Sequence, residues 1–327
     1  MTKQRDSYFD FLRGIAIIMV IGIHTYVDGM MHFNLFLRQF INCAVPIFLA
    51  ISGYFIGQKS FDKKGSYTKF LGKQIPRVYI PMLFWSIPWV LLSIKAGSTP
   101  WMTILKAFAG EISIFYFIIL IIQYYLLTPV IQKVNTRFGG GYSVIITIIG
   151  ISIFDFTQRI LGMKLSLVES ASPFPVWMTF YVMGVLQAQN IKFPFQNQKP
   201  LFWAVLGIAL SVIHISWLFN NYGSIAPGIK LSSHIYTYFV IMWLFSENAR
   251  IIYNKVKTSI MSVWLVEIGR LSFFIYLTHC LIIFIFSIIH IPNFWSVRWS
   301  LCIVLSYIFA KLCDKKCPEI IKKYIGF

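Results

Sequence analysis

Residues 5–26 read RDSYFDFLRGIAIIMVIGIHTY. From Phe9 onward the stretch is apolar enough to enter a bilayer, yet Asp10, Arg13 and His24 interrupt it. At about 3.6 residues per turn and 1.5 Å rise per residue, Arg13 and His24 fall on one helix face, roughly 16 Å apart. Asp10 precedes Arg13 by three positions and shares that face. The simpler reading sends Arg13 and His24 separately to opposite headgroup layers. Their alignment with Asp10 favours a polar interior, because a lipid-facing stripe does not collect an acid, a base and an imidazole.

The composition agrees with a membrane setting. Of 327 residues, 57% are hydrophobic, 18% aromatic and only 12% charged, with mean hydropathy +0.71. A soluble domain of this size needs far more charge to cover its surface. The net charge of +18 does not indicate nucleic acid, since the basic residues sit in short clusters between apolar runs. The five cysteines show no metal or redox spacing, and no metal is expected. The first apolar run follows Lys3 and Arg5 as a signal peptide would. It lacks a small-residue cleavage site, so it reads as a retained anchor.

A span needs roughly 17 to 25 largely apolar residues. Runs of that kind cover 9–27, 41–57, 78–94, 113–132, 142–158, 174–190, 200–219, 233–249, 268–289 and 297–313. The fold expected is all-α, a polytopic membrane bundle of about ten transmembrane helices, with residues 1–327 forming one domain and no soluble part. With both termini cytoplasmic, twenty of the 29 Lys and Arg fall on the cytoplasmic side and seven in the opposite loops, as the positive-inside rule requires. The densest cluster runs from Lys59 to Arg77.

A second polar constellation is EIGRLSFFIYLTHC, residues 267–280. Ser272, Tyr276 and His279 follow at spacings of four and three and share one helix face. Such a stripe can hold helices together by hydrogen bonds, or it can serve a reaction.

In order along the chain, FDFLRGIAIIMVIGIH (9–24), VPIFLAISGYFIG (45–57), KQIPRVYIPMLFW (73–85), FYFIILIIQYYLLTPV (115–130), FPVWMTFYVMGVL (174–186) and IGRLSFFIYLTHCLII (268–283) resemble the integral-membrane acyltransferase-3 family. The resemblance implies transfer of an acetyl or other short acyl group from cytoplasmic acetyl-CoA or another acyl-CoA. The acceptor it implies is a hydroxyl of a cell-surface polysaccharide or of its lipid-linked precursor, at a bacterial inner membrane. The family's essential histidine corresponds to His24 and its arginine to Arg13, with Asp10 beside them. The family's basic motif has two arginines three apart. Here Gln74 and Arg77 stand at that spacing with Lys73 alongside, so Lys73 and Arg77 are the donor-binding candidates. Ser52, Tyr276 and His279 are candidates for orienting either substrate.

The chemistry fits these residue types. Acylating a hydroxyl needs a base for its proton and a donor for the developing oxyanion, and histidine titrates near neutrality. Expected partners are the bilayer, acyl-CoA, a glycan or glycolipid and polysaccharide-assembly proteins, with no nucleic acid. Buried charged stripes also mark transport paths, so a transporter or flippase for a glycan intermediate or small metabolite is the competing class, and a scaffold subunit a third. No inverted repeat, the usual sign of a transporter, is found.

Overall fold

A computed structural model describes residues 6–26, 32–196, 198–222 and 229–327. The expected basic residues Lys3 and Arg5 lie outside the described residues. In chain order the α-helices are α1 (Ser7–Thr25), α2 (His32–Ile41), α3 (Ala44–Gly57), α4 (Ser66–Lys95), α5 (Pro100–Phe108) and α6 (Tyr116–Phe138). They continue as α7 (Gly141–Asp155), α8 (Leu167–Ala171), α9 (Met178–Ala188), α10 (Pro200–Tyr222) and α11 (Leu231–Leu244). The last five are α12 (Glu247–Val256), α13 (Ile260–Arg270), α14 (Ser272–Ile288), α15 (Trp295–Lys316) and α16 (Glu319–Ile325).

The protein is an all-helical multi-pass membrane protein. Among the described residues seven helical stretches are long and apolar enough to cross a bilayer, and α13 with α14 make an eighth if counted as one bent span. Two other apolar runs of the sequence form shorter helices, Phe174–Ala188 and α11. The ninth expected span, 268–289, corresponds to α14, and the break lies at its start. There α13 and α14 are bent by 84°, because Leu271 leaves helical geometry and its N–H turns back to the Glu267 and Ile268 carbonyls. The next helix then begins with the Ile275 N–H on the Leu271 carbonyl.

The chain divides into two compact units, Met1–Ser52 with Lys192–Phe309, and Gly53–Ile191 with Ala310–Phe327. The first is built around α1. Asp6 caps this helix by accepting the Tyr8 N–H at 3.0 Å, and α13 and α14 pack along it. The crossing with α13 is close enough that two glycines are required. A Cβ at Gly269 would overlap the Asp10 carbonyl, and one at Gly14 the Leu265 carbonyl. Toward the other end, α15 is pinned to α1 by two indoles. Trp295 Nε1 donates to the Gly22 carbonyl at 2.9 Å and Trp299 Nε1 to the Ile18 carbonyl at 2.8 Å.

In the second unit, Tyr124 of α6 stacks on Tyr181 of α9 at 4.3 Å between ring centres. Thr128 Oγ1 and the Tyr181 hydroxyl lie 2.7 Å apart, so both polar groups are satisfied in the interior. Helix α4 runs unbroken for 30 residues despite Pro76, Pro81 and Pro88. Its first three turns carry the end of the basic cluster. Gln132 of α6 donates to the Gly57 and Lys59 carbonyls at 3.0 and 2.9 Å, fixing the start of that cluster.

Candidate active site

The polar stripe of α1 is used at both ends. Near its start Asp10 is fully buried and accepts from Arg13 Nη1 at 2.9 Å. Arg270, at the end of α13, brings its Nε to 3.9 Å from the other carboxylate oxygen. One buried carboxylate thus faces two guanidinium groups, the second of which the sequence did not single out as its partner. The glycine contact at Gly269 explains the placement, since only a bare Cα allows α13 to bring Arg270 alongside. Glu267 is engaged elsewhere, accepting from the Tyr307 hydroxyl of α15.

At the other end of the stripe His24 meets His279 of α14, with ring centres 5.4 Å apart and planes inclined by 47°. His24 is half-buried and His279 fully buried. The tautomer of His279 follows from its partners. Its Nδ1 lies 3.1 Å from the Ile275 carbonyl and 2.9 Å from the Tyr276 carbonyl, and carbonyls only accept. Nδ1 therefore carries the proton, and in the neutral ring Nε2 is the accepting nitrogen. Cys280 Sγ stands 3.6 Å from that nitrogen. From α15, Cys302 Sγ reaches the His279 carbonyl at 3.7 Å.

Ser272, Tyr276 and His279 lie on one buried face of α14, as their spacing requires. The Tyr276 ring sits 6.2 Å from that of His279. Ser52, half-buried near the end of α3, makes no hydrogen bond with either imidazole. Lys73 and Arg77 belong to the second unit, one turn apart on an exposed face of α4. Lys69, one turn earlier, extends the same exposed stripe. That extension was readable as a spacing of four, but the sequence offered six basic residues in the cluster with no means of ranking them.

Chemically, the His24–His279 pair offers one imidazole nitrogen with a defined lone pair beside a second ring. That arrangement can take a proton from a hydroxyl and return one to a leaving group. The Asp10–Arg13–Arg270 group holds the far end of the stripe in place by charge.

Residues 6–313 match the family described as Acyltransferase domain. Nodulation protein NolL of Mesorhizobium japonicum is 34% identical over 99 residues, a match covering 28% of this chain. The chain covers about a quarter of that relative, 26% of its length. No solved structure matches. The family match runs through both units and takes in Asp10, Arg13, His24, Ser52, Lys73, Arg77, Tyr276 and His279, and the chain belongs to the acyltransferase-3 family of multi-pass membrane acyltransferases.

Proposed function

We propose that this protein is a membrane O-acyltransferase that moves an acetyl or other short acyl group from acyl-CoA to a hydroxyl of a surface polysaccharide or its lipid-linked precursor. The observation that carries this reading is the meeting of His24 and His279 inside a chain of the acyltransferase family. The whole chain is read as one acyltransferase domain with both termini cytoplasmic, the orientation that its Lys and Arg distribution supports.

In this reaction His24 takes the proton of the acceptor hydroxyl as its oxygen attacks the thioester carbonyl. The tetrahedral oxyanion collapses, the carbon–sulfur bond breaks, and the CoA thiolate recovers the proton from the imidazolium. His279 is a positioning residue that holds its ring, in one fixed tautomer, against that of His24. Asp10 and Arg13 are assigned to holding α1 in register and to the polar path along its stripe. The exposed stripe of Lys73 and Arg77 provides the positive field that the CoA phosphates need.

Binding of acetyl-CoA to the detergent-purified full chain tests this. Saturable binding that weakens when the 3′-phosphate is removed supports a CoA donor, and transfer of labelled acetyl to a glycan fraction completes the case. Absence of binding to acetyl-CoA and to longer acyl-CoAs overturns it and moves the test to flux across proteoliposomes.

A further inference from the structure

Along α1, unit 1 gathers its engaged acids at one end. Among the described residues its acids are Asp6, Asp10, Glu247 and Glu267, and three of them are engaged around the Arg13 end. Asp6 pairs with Arg250 at 3.0 Å, Asp10 with Arg13 and Arg270, and Glu267 with Tyr307. The end that carries His24 has cations instead. Arg38 stacks over the Tyr26 ring at 4.7 Å, Tyr26 meets Trp295 edge-on at 5.5 Å, and Arg298 follows Trp295 on the same helix. Lys230 joins from the start of α11, donating to Gln39 next to Arg38. Asp28, the acid nearest in sequence, lies outside the described residues.

Two of these cations are buried in opposite ways. Lys230 has no exposed surface, and its ammonium is fully used, donating to Gln39 Oε1 at 2.5 Å, Ser211 Oγ at 2.9 Å and Ser233 Oγ at 2.7 Å. It offers no free donor to a ligand. Arg298 is only 7% exposed, yet its Nε is buried without a hydrogen-bond partner. Its neighbours on the inward face of α15 locate it. Trp295, three residues before, touches Gly22 of α1, and Cys302, four residues after, touches His279. Arg298 therefore lies on the face of α15 that packs against α1 and α14.

A cationic side chain buried with its Nε–H unpartnered is costly, because that donor goes uncompensated beside a charge. Sugar hydroxyls would satisfy the donors but leave the charge. A carboxylate or phosphate oxygen pair satisfies both, since the fork of N–H groups matches it in geometry.

We infer that the His24 end of unit 1 is an oxyanion site, with Arg298 as its buried anchor and Arg38, over the Tyr26 ring, as a second cation at that end, and that the acceptor brings the phosphate or carboxylate that fills it. The inference rests on the proposed acyl transfer only for the identity of the ligand as acceptor. The oxyanion site itself stands on the geometry. The acceptor class is then an anionic saccharide, bearing either a phosphodiester or diphosphate linkage or a uronic-acid carboxylate.

The test uses the detergent-purified full chain carrying K73A and R77A, so that the donor-phosphate stripe does not contribute. Its thermal midpoint is followed against pyrophosphate, glucuronate and glucose at matched ionic strength. Concentration-dependent protection by pyrophosphate or glucuronate, none by glucose, and an apparent affinity about tenfold or more weaker in R298Q is the expected result. The stronger of the two anions distinguishes a phosphate from a carboxylate acceptor. Equal protection in R298Q, or none by either anion, overturns the inference, and the first of these identifies an adventitious ion only. Should R298Q fail to purify, R298K keeps the charge without the fork. Weaker protection in R298K supports the site and undiminished protection removes it. Acetyl-CoA binding to the unsubstituted chain, measured in parallel, fails only if the proposed function fails.

Discussion

The imidazoles of His24 and His279 stand 5.4 Å apart between ring centres, and the Nδ1 proton of His279 is committed to the Ile275 and Tyr276 carbonyls. The pair thus has one nitrogen whose role is fixed by the backbone. This makes the two histidines separable by experiment.

Substituting His24 by Asn is expected to lower acyl transfer by about 10²- to 10⁴-fold, the usual contribution of a positioned base. Acetyl-CoA affinity should stay within about twofold, because the base touches the acceptor proton rather than the CoA phosphates. H279N keeps a side-chain N–H for the two carbonyls but has no Nε2. It should fold normally and lose activity by a smaller factor, and H24N/H279N should be no worse than H24N. Turnover under saturating donor for the three variants checks this. Additive losses would separate the two residues.

Asp10 is fully buried against Arg13 and Arg270, both of which are partly exposed. Removing one partner of a fully buried ion pair costs about 3–5 kcal/mol. The exposure of both arginines reduces this, and D10N is expected to cost about 1–3 kcal/mol. The thermal midpoint in detergent reports it. A midpoint equal to that of the unsubstituted chain would show that the carboxylate does not hold α1 to α13.

The tight crossing of α1 with α13 makes a sharper contrast. G269A forces a methyl group into the Asp10 carbonyl, whereas a methyl group at Gly72 on α4 would meet nothing within 4 Å. G269A should abolish recovery of folded protein, since backbone on backbone cannot yield as a side chain does. G72A should be neutral or stabilising by up to about 1 kcal/mol, through helix propensity alone. Yield after size-exclusion chromatography reads both.

Lys69, Lys73 and Arg77 form an exposed stripe with a spacing of one helical turn. Replacing Lys73 and Arg77 by Ala should weaken acetyl-CoA binding several-fold at about 0.05 M salt. The loss should shrink towards nothing near 1 M, where the screening length is about 3 Å. Isothermal titration at the two salt concentrations decides. A loss independent of salt would mean that these residues support structure rather than phosphate.

Lys230 sits just before α11, and burial, followed by the charge of Arg38, pushes its ammonium down to about 7. An unfolded lysine keeps its proton to about 10.4. Between those values the unfolded chain binds more protons, so this group makes stability rise with pH. The cost of the buried charge is fully present below pH 7 and is relieved above it, by at most about 1.4 kcal/mol per pH unit. The thermal midpoint of the unsubstituted chain should therefore climb between pH 7 and 9 more steeply than that of K230M. Parallel curves would show that Lys230 does not titrate in this range.

Residues 5–26 alone established that this chain enters a membrane and keeps charged groups on one helix face. Hydropathy and the 3.6-residue period act locally, so the apolar runs, the stripe of Asp10, Arg13 and His24, and the buried face of Ser272, Tyr276 and His279 were all legible without coordinates. The Asp10–Arg13 pair was legible too, because its partners lie three residues apart. What pairs across the chain was not. That Arg270 turns to Asp10 while Glu267 takes a hydroxyl from Tyr307, and that His279 lies against His24, depends on an 84° break at Leu271 and a glycine contact between helices. Arg298 stood among loop cations in the sequence, and only the packing of α15 on α1 and α14 turned it inward. Periodicity fixes which residues share a face, but the choice of face and neighbour is made by close packing between segments hundreds of residues apart.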